Sequence, residues 1–354
     1  MKIVLNLILV LTLFFVACNQ NEKEVNKKIA YRNSRINTNL KKFSDVFVEK
    51  NNVELKTEKN IYISEISILL VKDNSYIIVD KPGNQILVFE SNGKLRNLIG
   101  RSGRGPGEYV AIQSIDINNK NQILVLDTRS MRVSKYEMDG EFIRSYNVSD
   151  FTSSLLADQD DGFYLYNPID GLKPVEGNII FHYNDRGKKD FSFCKPFFKI
   201  DTGTGNLVKD HNNNLYASQA FCYKIVKYSS EGKYLASIDF MRNYIEPLKW
   251  DNYETYPPLT KLNNCSSLIR FAVNRKYILL EIRESNKEKK IMDIYDHEGN
   301  LLMSRIIIPS YLSFEATDDN DLLYFAKEPD NKLDLTKANC RVITYTIKRL
   351  QNER

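Results

Sequence analysis

Two stretches of this sequence share one layout at a constant spacing. In each stretch an apolar strand ends in an aspartate (Asp80, Asp127), and a polar turn leads to a second strand. A turn that contains glycine (Gly93, Gly140) then leads to a third strand. Both pairs of landmarks are 47 residues apart, so the register is kept across the repeat. A period of roughly 40–50 residues with several strands per repeat is typical of a β-propeller, in which each repeat forms one blade.

Further copies of the layout follow along the chain. The next turn glycines are Gly187, Gly232 and Gly299. A sixth copy, Asp321–Leu350, lacks its last strand, whereas Asp45–Thr57 is strand-like and has no blade of its own. We therefore predict that Asp45–Thr57 supplies the outer strand of the last blade and closes the ring, which removes exposed sheet edges. The predicted fold is an all-β, six-bladed propeller of four-stranded antiparallel blades over residues 43–354.

The innermost strand of each blade is predicted to precede its strand triplet. The candidates are Ile66–Val71, Ile112–Ile117, Ser153–Asp158, Gly205–Asp210, Leu268–Val273 and Ser313–Thr317. The aspartates Asp80 and Asp127 stand where a strand meets a turn, and a carboxylate in that position most simply accepts backbone N–H bonds. We interpret both as structural.

The N-terminus has the layout of a secretory signal peptide over residues 1–17. An apolar run follows Lys2, and Ala17 stands directly before Cys18. Phe15–Cys18 resembles a bacterial lipobox, with Phe in place of the preferred Leu, and this resemblance implies cleavage before Cys18 and lipidation of its thiol. An uncleaved membrane anchor and an ordinary cleaved signal are the alternatives, although the run is short for a membrane span.

Residues 18–42 are polar and lack strand periodicity, so we predict a lipidated tether. Asn19 stands where an inner-membrane retention signal would carry Asp, which favours an outer-membrane lipoprotein facing the periplasm or the cell surface. The 50 basic and 45 acidic residues are spread along the chain, and the absence of a basic stripe argues against nucleic-acid binding. We expect a monomeric domain that meets the membrane through its lipid.

The GRGPGEY string that follows the first blade, together with the repeat text, resembles a known family. Asp80–Gly100 is similar to an NHL repeat, and Gly103–Tyr109 reads GRGPGEY. With the lipobox, these motifs resemble the six-bladed β-propeller lipoproteins of Bacteroidetes (NHL- or TolB-like propellers). The resemblance implies the propeller fold, export and a lipid anchor, and it implies no particular activity.

The GRGPGEY segment has two interpretations. It lies between two blades, where glycines permit a tight crossing. Alternatively, its backbone N–H groups form an anion-binding nest. The candidate ligand residues are Arg101, Gly103, Arg104, Gly105, Gly107, Glu108 and Tyr109.

A long insertion at residues 241–266 is the second candidate recognition surface. It carries the only tryptophan of the chain and several tyrosines. The candidates are Tyr244, Trp250, Tyr253 and Tyr256. Exposed aromatic side chains on such a loop can stack on sugars or proteins, whereas aromatics packed on their own blade would be structural.

Neither histidines nor cysteines predict a metal site. His182, His211 and His297 occupy unequal positions in their repeats, so convergence on one ion is not expected. The remaining cysteines also lack metal or redox spacing: Cys194, Cys222, Cys265 and Cys340. Because export permits disulfides, free buried thiols and one disulfide are both open alternatives.

The combined expectation is a cell-envelope lipoprotein that acts as a non-enzymatic binding or scaffolding propeller. Its partner would be a glycan, a peptide or a protein, and no catalytic residue, metal or cofactor is expected. The competing class is an exported hydrolase or lyase with an acidic site at the channel mouth. Three or more Asp, Glu or His side chains pointing at the propeller axis would favour that class.

Overall fold

A computed structural model of the chain describes residues 39–58, 60–149, 152–167, 177–196, 205–219, 221–240, 242, 244–246, 248, 260–261, 264–285, 289–327 and 340–348. Within these ranges the chain forms six four-stranded antiparallel sheets, as the repeat predicted. The predicted signal peptide, Cys18 and most of the predicted tether lie outside the described residues. No helix in the described ranges is long and apolar enough to cross a membrane.

The six sheets follow one another along the chain as blades. Blade 1 comprises β2 (Ile68–Lys72), β3 (Ser75–Asp80), β4 (Gln85–Glu90) and β5 (Leu95–Leu98). Blade 2 comprises β8 (Ile112–Ile117), β9 (Ile123–Asp127), β10 (Arg132–Tyr136) and β11 (Phe142–Asn147). Blade 3 comprises β12 (Ser154–Ala157), β13 (Phe163–Tyr166), β14 (Ile180–Tyr183) and β15 (Lys189–Phe193).

Blade 4 comprises β16 (Gly205–Lys209), β17 (Leu215–Gln219), β18 (Lys224–Tyr228) and β19 (Tyr234–Asp239). Blade 5 comprises β20 (Ser267–Val273), β21 (Ile278–Arg283), β22 (Lys290–Tyr295) and β23 (Leu301–Ile308). Blade 6 comprises β24 (Leu312–Thr317), β25 (Leu323–Lys327), β26 (Arg341–Ile347) and β1 (Phe47–Glu54). A short helix α1 (Phe43–Val46) precedes β1, and β6 (Arg101–Ser102) pairs in parallel with β7 (Glu108–Tyr109) between blades 1 and 2.

The N-terminal strand closes the ring, which confirms the prediction from the missing strand. β1 pairs antiparallel with β26, from Phe47 opposite Ile347 to Glu54 opposite Arg341. The same N-terminal segment forms a bridge at Lys41 to blade 5 and a bridge at Lys56 to blade 1. It therefore fastens blades 5, 6 and 1 to one another.

The innermost strands contact one another around the ring in the order β2, β8, β12, β16, β20, β24 and back to β2. Each innermost-strand prediction is confirmed to within two residues at either end. Because consecutive strands are antiparallel, the turns between the first and second strands all lie at one end of the ring, called here the hairpin face. These turns are residues 73–74, 118–122, 158–162, 210–214, 274–277 and 318–322. The blade-to-blade crossings lie at the opposite end, the crossover face.

The turn glycines have the conformation that the layout requires. Each of the five has a positive φ, between 72° and 97°, and each donates its N–H to the carbonyl three residues earlier. The ladder register shifts by one residue beside each turn. This is the three-residue hairpin with a glycine bulge, and an L side chain is strained there. The glycines are Gly93, Gly140, Gly187, Gly232 and Gly299.

The core lies between the blades. Every residue of β3 is buried, and its side chains alternate between two neighbours, because successive side chains of a strand point to opposite faces. Ile78 packs in the cluster between blades 6 and 1. Ile77 and Val79 pack in the cluster between blades 1 and 2. Strands buried on both faces explain the continuous apolar runs from which the repeat was recognised.

The strand-ending aspartates are structural, as predicted. Asp80 accepts hydrogen bonds from the backbone N–H groups of Ser64 (2.8 Å) and Gly83 (3.1 Å). Asp127 accepts four such bonds, the shortest from Val110 at 2.8 Å. Burial raises the pKa of Asp127, but the backbone N–H bonds outweigh burial and hold its pKa below the usual range. Both carboxylates are used to join a blade to the preceding crossing.

Candidate functional site

A cavity of about 830 Å³ opens at the hairpin face, where the innermost strands end around the central channel. Five of the six blades contribute to its lining, which consists mainly of charged and amide side chains. We call this cavity the channel mouth. Its polar residues are Lys72, Asp73 and Asn74 of blade 1, Asn119 of blade 2, Lys209, Asp210, His211 and Asn213 of blade 4, and Thr317, Asp318, Asp319 and Asn320 of blade 6.

Asp210 is fixed by its own turn. Its Oδ1 accepts the backbone N–H groups of Asn212 and Asn214, both at 2.9 Å. Its Oδ2 accepts the Tyr216 hydroxyl at 3.1 Å and lies 3.3 Å from the Lys227 ammonium. Burial raises the pKa of Asp210, but the bonds from Asn214 and the charge of Lys227 together hold it below the usual range. This carboxylate is therefore committed to the turn.

Asp318 repeats the arrangement in blade 6. It accepts the backbone N–H groups of Asn320 (3.0 Å) and Leu322 (2.9 Å) and the Tyr324 hydroxyl (2.9 Å). Burial, and then the neighbouring carboxylate of Asp318, raise the pKa of Tyr324. The tyrosine therefore stays a neutral donor, and it holds the aspartate in place.

Lys209 braces the mouth from blade 4. Its ammonium donates to the Ala157 carbonyl of blade 3 at 2.8 Å and lies 3.2 Å from the Asp116 carboxylate of blade 2. Asp116 also accepts the Ala157 backbone N–H at 2.7 Å. These bonds pair the Ala157 backbone at the end of β12 with side chains of blades 2 and 4.

Three ionisable side chains of the mouth have no such partner among the described residues. The side chains of Lys72, His211 and Asp319 make no hydrogen bond or ion pair with any other residue in the described ranges. Lys72 is half-buried, and the other two are exposed. Among the described residues, the cavity thus presents an unpaired ammonium, imidazole and carboxylate together with fixed aspartates.

The channel mouth was not singled out as a set of residues from the sequence. Three blades nevertheless carry a sequence signal. In each of them an aspartate accepts a hydrogen bond from the hydroxyl of the tyrosine six residues later. The pairs are Asp158 and Tyr164, Asp210 and Tyr216, and Asp318 and Tyr324. The spacing marks the first turn of a blade and hence the hairpin face.

The GRGPGEY loop lies on the opposite, crossover face. Glu108 accepts a bond from the Arg101 Nε at 2.8 Å and one from the Gly105 backbone N–H at 2.7 Å. These two bonds, with that of Gly105 the larger effect, hold the pKa of Glu108 below its usual range. The anion that the loop binds is thus its own glutamate, which favours the structural interpretation of this segment.

Other groups of the loop are also used internally. Arg132 of blade 2 donates to the carbonyls of Arg104, Gly105 and Glu108. Tyr109 is buried, and its hydroxyl donates to the Ile99 carbonyl at 2.8 Å. Gly103 has a φ of 152°, which disfavours L side chains, and a Cβ there would also displace the Glu108 carboxylate. Gly107 has a φ of 71°, and the Arg104 side chain is exposed.

The insertion before blade 5 is described only in part. Tyr244, a predicted recognition residue, is instead half-buried and anchors the insertion to blade 5. Its hydroxyl donates to the buried Asp293 at 2.6 Å, and its ring packs against the core cluster of blades 4 and 5. The Arg305 guanidinium lies 5.2 Å from the ring centre. Trp250, Tyr253 and Tyr256 lie outside the described residues.

The three histidines have separate surroundings. His182 lies between Asp190 (2.6 Å) and Asp158 (3.1 Å) inside blade 3. His211 lines the channel mouth, and a ring nitrogen of His297 contacts the Asn274 carbonyl at 2.8 Å. No group of three or more His, Cys, Asp or Glu in the described part of the chain is arranged to hold a metal ion.

The cysteines outside the signal region are thiols in this structure. Cys194, Cys265 and Cys340 are buried, and Cys222 is half-buried. Burial raises the pKa of Cys194 to about 12, with a smaller opposing effect from Tyr228. A thiol with so high a pKa is a poor nucleophile. Of the two alternatives left open by the sequence, this structure has the reduced one.

Comparison with solved structures supports the fold. A "Putative exported protein" from Bacteroides fragilis is 18% identical, covers 89% of this chain and 98% of its own, and superposes with a TM-score of 0.67. A member of the DUF4221 family from Bacteroides vulgatus is 14% identical, covers 85% of this chain and 97% of its own, and has a TM-score of 0.62. No curated protein sequence matches the chain.

The match to a family of sequences extends over most of the propeller. It runs over residues 28–339, from the predicted tether into the last blade. The chain belongs to the family described as "Domain of unknown function (DUF4934)".

Proposed function

We propose that the protein is an exported lipoprotein, anchored at the outer membrane through Cys18, whose propeller binds a small polar ligand in the channel mouth without transforming it. The observation that carries the proposal is the mouth itself. It combines a cavity of about 830 Å³ with donor and acceptor side chains from four blades, among them three side chains without a partner in the described ranges. Concave sites with a few convergent polar groups are the usual ligand sites of proteins.

The bonding of the carboxylates supports binding over catalysis. Acidic residues do surround the mouth, as the competing hydrolase or lyase class requires. However, Asp210 and Asp318 each accept two turn amides and a tyrosine hydroxyl, so most of their lone pairs are already used. General acid–base catalysis needs a carboxylate that can exchange a proton with the substrate. Asp319 has no partner in the described ranges, so no second acid–base group or nucleophile among the described residues is hydrogen-bonded to it.

Export and anchoring rest on the N-terminus. The apolar run before Cys18 has the layout of a lipoprotein signal, and the name of the similar B. fragilis protein contains the word exported. In fractionated cells, the parent should be recovered with the outer membrane and Cys18→Ser in the soluble fraction. Unchanged membrane recovery of Cys18→Ser would contradict the anchor.

A ligand panel tests the binding function. The purified domain, from residue 19 onward, is melted with neutral sugars, amino acids and short peptides, nucleotides and dicarboxylates. A compound at 100 times its Kd stabilises the folded state by about 2.7 kcal/mol. We expect at least one class to raise the Tm of the parent by a few degrees and to be recovered unchanged.

The same panel is run on two variants of matched charge change. Asp319→Asn removes a carboxylate inside the mouth, and Glu298→Gln removes one at an exposed rim turn of blade 5. The Tm rise should be lost or reduced in the first and kept in the second. A panel in which no Tm rise depends on the mouth would contradict the proposed function, and turnover of the compound would indicate an enzyme.

A further inference from the structure

The channel mouth keeps opposite charges apart. Lys72 of blade 1 and Asp319 of blade 6 line the same cavity on neighbouring blades, and Asp73 and Asp318 line it as well. Nevertheless, the Lys72 ammonium lies within 4 Å of no carboxylate in the described part of the chain. Charges of opposite sign on one concave surface usually pair with each other. Here both remain available to a ligand.

Two other charged side chains of the mouth already have partners. Lys209 is committed to Asp116 and to the Ala157 carbonyl, and Asp210 is committed to its turn and to Lys227. His211 adds an unpartnered imidazole from blade 4, which is opposite blade 1 in a six-membered ring. The site therefore offers a free carboxylate and free cationic or N–H donors at separate positions.

We propose that the ligand of the mouth is a zwitterion with a free α-ammonium and a free α-carboxylate, that is, an amino acid or short unblocked peptide. This inference rests on the proposed function. The α-ammonium would bind Asp319. The α-carboxylate would bind Lys72 or, in a longer peptide, reach His211. Charge-assisted hydrogen bonds of this kind are roughly twice as strong as neutral ones.

The balance of charge in the mouth predicts which end of the ligand contributes more to its affinity. Its lining has four aspartates, Asp73, Asp210, Asp318 and Asp319, against two lysines, Lys72 and Lys209. An excess of carboxylates attracts the ammonium and opposes the carboxylate of the ligand. Blocking the N-terminus of the peptide should therefore weaken binding more than blocking its C-terminus.

Other chemistries fit less well. An aromatic platform for stacking on a sugar ring is not evident, because Tyr324, the aromatic residue of the described lining, is buried and donates to Asp318. An anion would face the carboxylate excess. A zwitterion uses both kinds of unpartnered group at once.

The test is calorimetric titration of the purified domain with trialanine, its N-acetylated form and its C-terminal amide. We expect trialanine to bind, N-acetylation to weaken binding about tenfold or more, and amidation to weaken it about threefold. Asp319→Asn should weaken the binding of trialanine about tenfold but leave the binding of the N-acetylated form unchanged. Lys72→Gln should likewise weaken the binding of trialanine, but it should not weaken the binding of the C-terminal amide any further. Glu298→Gln is the control.

The outcomes separate the class of ligand from the site. Equal affinity for blocked and unblocked peptides, or no binding of trialanine, overturns the zwitterion. If another compound of the panel then loses its Tm rise in Asp319→Asn, the mouth remains the binding site and only the ligand class is wrong. If no compound depends on the mouth, the proposed function fails as well.

Discussion

The carboxylate of Asp161, in blade 3, lies 2.9 Å from the ammonium of Lys135, in blade 2, and the Lys135 side chain is only 2% exposed. Asp161 also accepts a bond from Lys120 at 2.7 Å and one from the Asn118 amide at 2.8 Å. One carboxylate thus holds three side chains of the neighbouring blade. The pair is a polar link between two blades that also share an apolar cluster.

Asp161→Asn should be among the most destabilising polar substitutions in the hairpin turns. It leaves the Lys135 ammonium buried without its counter-charge, and removal of one partner of a buried pair costs about 3–5 kcal/mol. We expect a loss near the lower end, about 3 kcal/mol, because the Asp161 side chain is 24% exposed. The measurement is the free energy of unfolding by urea at pH 7. Asp160→Asn, next to it and exposed, should change it by less than about 0.5 kcal/mol.

The pair also predicts a pH dependence. Burial raises the pKa of Asp161, but Lys120 and Lys135 outweigh it and lower the pKa to about 2. A depressed pKa in the folded state means that the contribution is present above pH 4 and is lost as the pH falls toward 2. The difference between parent and Asp161→Asn should therefore shrink over that range. A constant difference would show that the charge is unimportant.

Glu281 should be replaceable with a gain in stability. It is 1% exposed, neither carboxylate oxygen accepts a hydrogen bond from a described residue, and the Lys290 ammonium lies 3.6 Å away. Burial raises its pKa more than Arg270 and Lys290 lower it. A raised folded pKa means that stability declines as the pH rises above about 4.5. We expect Glu281→Gln to raise the free energy of unfolding by about 1–3 kcal/mol relative to the parent at pH 8, and by less at pH 5.

Urea titrations at the two pH values measure that gain, with Glu298→Gln as the control. A loss of stability at both values would show that the Lys290 and Arg270 charges over-compensate the burial of Glu281.

Tyr244→Phe should lower stability without acting on the mouth. The substitution removes the hydroxyl that donates to the buried Asp293 at 2.6 Å, and hydrogen bonds to charged groups contribute about 1.5–3 kcal/mol. Burial raises the pKa of Asp293 to about 6, against the opposing bond from Tyr244. Below that pH the carboxyl is protonated, so the cost should be larger at pH 8 than at pH 4.

Thermal and urea melts of Tyr244→Phe at the two pH values check this. Unchanged melting combined with lost ligand binding would restore Tyr244 as a recognition residue.

The architecture was predictable because it is repeated. The turn glycines, the apolar strand runs and the sixth copy without a last strand are local features, and together they indicate blade number and ring closure. The channel mouth was not predictable in the same way. Lys72, His211 and Asp319 belong to different blades and line one cavity only after the ring has closed. Similar polar turn residues also occur elsewhere in the chain. The bond between Glu108 and the Gly105 amide was also out of reach, because it depends on the conformation of the loop.

Removing the N-terminal strand should prevent folding. A chain that starts at residue 39 keeps α1 and β1, whereas a chain that starts at residue 58 loses them and exposes β26. Phe47 and Val53 of β1 are buried in the core of blade 6 and its neighbours, and the total stability of a domain is only about 5–15 kcal/mol. We expect the first chain to melt cooperatively near the parent Tm and the second to aggregate in size-exclusion chromatography. A cooperative melt of the second chain at the same temperature would show that β1 is dispensable for closure.

The channel mouth can be tested directly by hydrogen–deuterium exchange of the whole domain. Exchange is followed by mass spectrometry with and without the panel compound that raises the Tm most. We predict slower exchange in peptides that cover residues 71–74, 209–214 and 317–321, and no change at 101–109 or 241–266. Protection confined to the GRGPGEY loop or to the insertion, with the mouth unchanged, would contradict the account and move the binding site to the crossover face.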